Sequence, residues 1–328
     1  MSALVSFVTS KRVANSVMED YVIRMVENNG KDFASIKITA EKPLPTNTIQ
    51  NGKIVDELKF YEFMKEVVQE WGIKNRHVRF YVPHPLIIMR EIDIPENVNK
   101  HEIKQYITME IGNTIHFPFK NPVFDLYDVP HENDVNKVTV LAAPEEEIIK
   151  YTQSFDDVKL KPVAVDVQSL GVYRYFLKTE KQLHLDKVYL ILELNLTSTN
   201  ISIFHQHKVE FLRYQPLSVS ANEWQPNAEQ PIQWNFTGDK TRLFGEMEDH
   251  LNEIERLMNF YRFSLHQGEK AVTDMIVLGD FPEINKIVAR IKQRYDLPVT
   301  TLTTEDVNVR QIDSVFIPAL GLALKGGK

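Results

Sequence analysis

The stretch that decides the fold is residues 187–217, which read KVYLILELNLTSTNISIFHQHKVEFLRYQPL. Its first part, 188–194, is rich in leucine and β-branched residues, as is typical of a strand buried on both faces. Polar residues at 195–199 and 206–208 separate this part from two further apolar segments, so the stretch predicts a three-stranded meander. Short polar side chains fill the first turn, where a nucleotide-binding protein could hold a phosphate group.

Length and composition limit the classes of protein that need consideration. With 328 residues, 43% of them hydrophobic, the chain is long enough for two domains or for two lobes of one large domain. The net charge of −7 argues against nucleic-acid binding, since phosphates attract basic surfaces. The chain has no cysteine, which excludes disulfides and zinc–thiolate sites, and no run of about 18 apolar residues, so we expect no membrane-spanning helix.

The two halves of the chain have the same order of predicted elements. Each half begins with a hairpin and continues with a helix, a parallel-looking strand and another helix, which indicates a duplicated α/β unit with a cleft between two lobes. We predict a first lobe over residues 1–178, with an inserted subdomain at about 78–142, and a second lobe over 179–328. Apolar residues three and four apart predict a long helix at about 242–266.

Two other segments give local predictions. An Asn-Asn-Gly turn should join residues 13–27 and 33–39 as a hairpin. Residues 218–239 are irregular and contain the exposed-looking Trp224 and Trp234; long loops of this kind are often functional or disordered.

Six segments spread over nearly the whole chain carry a family resemblance. They are NGKIVD at 51–56, VRFYVP at 78–83, EIKQYITMEI at 102–111 with FPF at 117–119, LKPVAVDV at 160–167, EIER at 253–256 with FYR at 260–262, and PALGLAL at 318–324. In this joint order they resemble the PilM family, whose members are actin-like cytoplasmic proteins of type IV pilus assembly. The resemblance implies an α/β, actin-like fold of the duplicated ribonuclease H type, with two lobes and a subdomain inserted in the first.

The resemblance also implies a function and a location. PilM proteins are platform proteins that grip the short N-terminal cytoplasmic tail of PilN, a single-span membrane partner. We therefore expect an adaptor that is cytoplasmic and peripheral at the inner face of the membrane through its partner, with no direct membrane insertion. A pilus assembly ATPase or a platform protein is a further partner that the family suggests.

The segments that match the family's nucleotide-binding loops depart from its pattern. The first phosphate loop corresponds to residues 15–20, which lack glycine and place acids at the turn. The second, Asp-Ile-Gly-Ala-Ser in the family, corresponds to residues 193–197, where glutamate replaces aspartate and asparagine replaces glycine. The adenosine turn keeps one glycine, Gly279. Because glycine lets backbone amides approach phosphate closely, we predict weak or absent binding of ATP and Mg²⁺ and no productive hydrolysis.

Two groups of residues remain as candidate sites. A relic ATP site would use the polar residues of these turns, which are otherwise ordinary turns: Glu193, Asn195, Thr197, Ser198, Thr199, Gly279 and Asp280. A groove for the partner's tail, between the inserted subdomain and the first lobe, would use apolar residues that could otherwise fill the subdomain's own core: Tyr81, Tyr106, Ile107, Phe117 and Phe119.

The remaining candidates are histidines. His205 and His207 stand two residues apart, but no third ligand is apparent, so we predict no metal site, and no pattern of catalytic residues occurs. His84, His101 and His116 are scattered and expected to be solvated.

Three classes of function therefore compete. An actin-like ATPase or sugar-kinase relative should keep glycine in a phosphate loop. A filament-forming, FtsA-like division protein should end in a linker and an amphipathic helix, for which the residues after Leu324 are too few. An adaptor in pilus assembly contradicts neither observation.

Overall fold

The computed structural model describes residues 12–30, 32–128, 137–180, 184–227, 231–305 and 312–326. The strands of these ranges are β1 (Val13–Met18), β2 (Val22–Asn28), β3 (Ile36–Pro43), β4 (Ile49–Gln50), β5 (Lys53–Ile54), β6 (His77–Val82), β7 (Ile88–Asp93), β8 (Pro122–Asp128), β9 (Lys137–Pro144), β10 (Lys161–Val167), β11 (Val188–Leu194), β12 (Ser198–His205), β13 (Lys208–Pro216), β14 (Trp224–Pro226), β15 (Trp234–Phe236), β16 (Asp274–Gly279) and β17 (Val299–Thr301). The α-helices are α1 (Glu57–Glu70), α2 (Ile103–Glu110), α3 (Glu145–Asp157), α4 (Gln168–Thr179), α5 (Lys240–Asn259), α6 (Ile284–Arg294) and α7 (Ile317–Ala323).

Two five-stranded sheets form the frame of the two lobes. The first lobe has the order β10-β6-β1-β2-β3, and the second has β13-β12-β11-β16-β17. In each sheet an antiparallel meander is extended by two parallel strands, as β11 shows by pairing with β12 on one side and β16 on the other. This repeat confirms the predicted duplicated α/β fold of the actin-like type.

Three apolar cores hold these sheets and their helices in layers. Helices α4 and α7 lie between the two sheets, where they share one core with residues of both. The α1 and α3 helices cover the outer face of the first sheet, and α5 and α6 cover that of the second. Helix α7 crosses α4 so closely that a Cβ atom at Gly321 would lie 2.0 Å from the carbonyl oxygen of Gly171. Glycine is therefore required at this crossing because no side chain fits there.

The meander at residues 187–217 is confirmed, whereas the first hairpin differs from its prediction. Strands β1 and β2 turn at Glu19 to Tyr21, as the family resemblance implied for residues 15–20. This turn lies inside the segment 13–27, which the Asn-Asn-Gly signal had led us to expect as one strand. The Asp20 carboxylate accepts hydrogen bonds from the backbone N–H groups of Asn51 (2.6 Å) and Gly52 (3.0 Å). This turn is held by a distant loop, so no local turn signal marks it.

A small third sheet, of order β7-β9-β8, lies beside the first lobe. Its inner face packs against α2 in a core of its own, around Ile92, Ile107 and Val140. The expected insertion began at Val78, but that residue lies in β6, a central strand of the main sheet. The separate sheet instead begins at Ile88.

The irregular region of the second lobe is more ordered than expected. Strands β14 and β15 pair within it, and Trp224 and Trp234 are buried rather than exposed. Trp234 packs edge-on against Tyr21 of the first lobe, with ring centroids 5.3 Å apart. The long helix predicted at 242–266 is α5, followed by one π-helical segment at Phe260–Leu265.

Candidate functional site

The turns predicted to carry a relic ATP site meet in the cleft between the lobes. Glu193, Asn195, Gly279 and Asp280 line one cavity of about 20 Å³, which is room for about one water molecule. A Cβ atom at Gly279, where φ is +132°, would lie 2.0 Å from the carbonyl oxygen of Leu194. The glycine retained from the adenosine turn therefore allows two strand ends to pack closely.

The other predicted contacts lie in two different places. Thr197 and Ser198 line a neighbouring cavity, also of about 20 Å³, together with Glu19 and Asp20. Thr199 faces away and is buried, with its hydroxyl 2.9 Å from Nδ1 of His250. The structure thus brings six of the seven residues to the cleft but spreads them over two small cavities.

A buried ion-pair network closes this cleft. The Arg24 guanidinium lies 2.8 Å from Asp280 across the lobes and 3.0 Å from Glu41 within its own sheet. The hydroxyl of Tyr21 donates to Asp280 at 2.8 Å, and Glu41 accepts from the backbone N–H of Ile232 at 2.6 Å. One arginine therefore ties together the first sheet, the second sheet and the loop that carries β15.

Two further carboxyl groups fill the cleft, and the pKa of each is raised. Burial raises the pKa of Glu193 to about 7, although the amide of Gln168 donates to its carboxylate at 2.9 Å. Burial and the carboxylates of Asp280 and Asp20 raise the pKa of Glu19 to about 8. A bound triphosphate would face this acidic lining, and Arg24 is already paired. The residues present therefore do not fit a nucleotide in this conformation, and we derive no chemical step through one.

His205 and His207, the candidate metal pair, contact different partners. His84 is largely enclosed rather than solvated, with its side chain 11% exposed beside Glu193, and burial lowers its pKa to about 4. Nδ1 of His205 lies 3.1 Å from Glu210, whereas Nδ1 of His207 lies 3.1 Å from the hydroxyl of Tyr173. Across the described ranges, no three His, Cys, Asp or Glu side chains are grouped to hold a metal ion.

The five residues predicted for a partner groove do not form one surface. Tyr81 lies in the core between the two main sheets, and its hydroxyl donates to the carbonyl of Pro318 at 2.8 Å. Ile107 is fully buried in the core of the small sheet, where Tyr106, Phe117 and Phe119 also pack. These four side chains serve the subdomain's own core, because an isolated small sheet needs large apolar side chains to bury one face.

A groove does lie between the small sheet and the first lobe, but other residues line it. Its volume is about 480 Å³, and its walls are residues 123–127 of β8, 141–143 of β9 and 165–167 of β10. Strand β8 is an edge of the small sheet, and β10 is an edge of the main sheet. Two strand edges therefore face one groove.

The register of β8 tells which of its backbone groups face the groove. Glu145 donates its N–H to the carbonyl of Asn121 at 3.1 Å, which makes Pro122 and Pro144 a non-hydrogen-bonded pair. By alternation, the N–H and C=O groups of Phe124 and Leu126 also point away from β9. The N–H of Leu126 already donates to the Asp125 carboxylate at 3.1 Å. Strand β8 thus presents the N–H and C=O of Phe124 and the C=O of Leu126 at its outer edge.

The side chains around these groups are both apolar and charged. The Val123 side chain is 44% exposed at the groove. Lys104 lies 3.2 Å from Asp125 on one side, and Lys325 lies 3.1 Å from Asp166 on the other. An apolar floor with fixed charges on both sides suits a short extended peptide.

Comparison with known proteins gives the family. Residues 18–220 match the family model of type IV pilus assembly protein PilM. The chain belongs to the PilM family. It is therefore an actin-like protein of type IV pilus assembly. A search of curated proteins by sequence finds no match.

Solved structures agree with the fold of a PilM-family protein. A structure of the "PilM-PilN type IV pilus biogenesis complex" has a TM-score of 0.75 at 18% identity and covers 96% of this chain and 98% of that chain. The cytoplasmic domain of EpsL, from the type II secretion system of Vibrio cholerae, has a TM-score of 0.51 at 7% identity, with 97% of each chain covered. The ethanolamine utilization protein EutJ of Carboxydothermus hydrogenoformans has a TM-score of 0.50 at 11% identity and covers 95% of this chain and 89% of that chain.

Two features of this PilM-family chain were not predicted from its sequence. Arg24 stands in the apolar run VIRMV, and a charge in such a run was a signal of a buried ion pair. The groove between β8 and β10 had no comparable signal, because it depends on the order of strands in two sheets. In the described part of the chain, helices are too short or too polar to cross a membrane.

Proposed function

We propose that this PilM-family protein is an adaptor that binds the short N-terminal cytoplasmic tail of a PilN-like single-span membrane protein. The tail docks in the groove between β8 and β10. The observation that carries the proposal is that the end strands of two sheets border one partly apolar groove of about 480 Å³. The similar structure that contains PilM together with PilN supports the choice of partner.

The groove fits an extended peptide that adds a strand to β8. The N–H and C=O of Phe124 and the C=O of Leu126 supply hydrogen bonds that do not depend on the tail's sequence. At about 3.3 Å per residue, the five lining residues of β8 match a tail segment of about five residues. Ordering a flexible tail costs entropy, so we expect a modest Kd, on the order of micromolar.

This mode of binding implies a location in the cell. It is cytoplasmic and is held at the inner face of the membrane through its partner. Its second lobe remains free to contact a pilus assembly ATPase or a platform protein. An ATPase or an FtsA-like filament protein is less well supported, because the interlobe cleft is acidic and filled by side chains.

Hydrogen exchange at β8 tests the docking mode. A synthetic tail of the PilN-like partner is titrated into the labelled protein, and amide exchange is followed residue by residue. We expect exchange at Phe124 to slow when the tail binds, because its N–H then donates to the added strand. A scrambled tail of the same composition is the control. Binding of the tail without protection of Phe124 would place the tail elsewhere, and no binding would contradict the adaptor proposal.

A further inference from the structure

Three cationic side chains surround a single carboxylate at one end of the groove. Arg79 comes from β6, Arg174 from α4 and Lys325 from the residues just after α7. The carboxylate is that of Asp166 on β10, which Arg174 contacts through Oδ2 and Lys325 through Oδ1 at 3.1 Å. Three regions of the chain, at 79, at 166–174 and at 325, thus place their charges at one point.

The charges of this cluster do not balance. Oδ1 of Asp166 also accepts the backbone N–H of Val167 at 2.9 Å, so both carboxylate oxygens are engaged. Arg79 is half-buried, and no described residue forms a hydrogen bond or an ion pair with its guanidinium. Burial and the nearby charge of Arg174 lower the pKa of Arg79. The carboxylate that acts on Arg79 is that of Asp166, whose oxygens already serve Arg174, Lys325 and the N–H of Val167. Three cationic side chains therefore share one carboxylate, which favours a second anion at the cluster.

The cluster is continuous with the groove. Asp166 and Lys325 line the groove, and Nζ of Lys325 lies 3.5 Å from the carbonyl oxygen of Val165 on the edge of β10. The cross-strand neighbour of Arg79 on β10 is Ala164, two residues before Asp166. A segment that lies in the groove therefore passes the cluster.

We infer that Arg79, Arg174 and Lys325 form a carboxylate-binding subsite. It takes the side chain of an aspartate or glutamate in the segment that docks in the groove, and this inference rests on the proposed function. A guanidinium can hold a carboxylate through two parallel hydrogen bonds, and such charge-assisted bonds are about twice as strong as neutral ones. The subsite would fix the register of the tail along β8, which the backbone bonds alone leave undetermined.

Matched peptides test the subsite. Aspartate and asparagine are placed in turn at each position of the PilN-like tail, and each pair is titrated against the wild-type protein and against Arg79→Gln. One position should favour aspartate over asparagine by about tenfold in the wild type, and this preference should vanish in Arg79→Gln. The control variant Arg213→Gln removes an arginine of the second lobe that is paired with Glu253, and should keep the preference.

A second measurement separates the subsite from the proposed function. The side-chain Nε–H signal of Arg79 is followed by NMR while succinate replaces chloride at constant ionic strength. A saturable shift of this signal supports the subsite whether or not the tail binds. The inference is overturned if the tail binds with no position that favours aspartate, if the preference persists in Arg79→Gln, or if succinate leaves the Arg79 signal unchanged. Failure of every peptide to bind overturns the proposed function and leaves the succinate result to decide the subsite.

Discussion

Arg24 of the first lobe and Asp280 of the second form an ion pair, with Nη2 and Oδ2 2.8 Å apart and side chains only 6% and 3% exposed. The pair stands in the cleft where the family's nucleotide loops would meet. Together with Glu41 and Tyr21 it joins the lobes without any ligand. The chain's own side chains therefore hold the two lobes together across this cleft.

Loss of Arg24 should destabilise the protein strongly. We expect Arg24→Met to lower the free energy of unfolding by about 3–5 kcal/mol, because it leaves two buried carboxylates without their cation. Denaturant unfolding measures this. The control is Arg290→Met, which removes an exposed arginine paired with Glu248 and should cost less than about 1 kcal/mol. Equal effects of the two substitutions would contradict a buried interlobe network.

The protein's stability should fall as pH rises from about 5 to about 7. The folded-state pKa of Glu193 is raised to about 7, so the folded state keeps a proton that the unfolded state releases above about 4.5. Glu193→Gln should remove on the order of 2–3 kcal/mol of this pH dependence, and it keeps an acceptor for Gln168. Unfolding free energies of both proteins at pH 5 and pH 8 measure the change. The control is Glu62→Gln, which replaces an exposed glutamate. The same change in unfolding free energy between pH 5 and pH 8 for Glu193→Gln and for the wild type would contradict the prediction.

Purified protein should not hydrolyse ATP. The two cleft cavities that Glu19 lines are about 20 Å³ each, and Glu19, Glu193 and Asp280 would face a phosphate group placed there. Phosphate release with Mg²⁺ should equal that of a heat-treated sample. ATP hydrolysis by the wild type that is lost in Glu193→Ala would contradict this prediction. It would show that the cleft can open to a catalytic state and would favour an ATPase.

The parts of the fold that sequence could predict are those encoded locally. The meander at 187–217 has its apolar strands and polar turns within about thirty residues, so both its strands and its turns were visible. The turn after Met18 was not, because no glycine or proline marks it and the N–H groups that hold Asp20 come from the distant Asn51 and Gly52. Long-range contacts of this kind leave no periodic pattern.

The candidate site residues also include some that the sequence predicted and some that it did not. Resemblance to PilM led to Glu193, Asn195, Gly279 and Asp280, and these four do line one cavity. The groove residues were missed because bulky aromatic residues were preferred, and the largest apolar side chains of a small sheet go to its own core. A binding edge is a row of backbone groups, and sequence alone does not tell which strand is an edge.

The most direct test of the account uses two valines of similar exposure. Val123 on β8 lines the groove and is 44% exposed, whereas Val163 on β10 is 50% exposed and lies outside the residues that line it. The synthetic tail of the PilN-like partner is titrated against Val123→Asp and Val163→Asp, with circular dichroism to confirm that both variants fold. The account predicts at least about tenfold weaker binding for Val123→Asp and an unchanged Kd for Val163→Asp. Equal binding of the tail by both folded variants would contradict it.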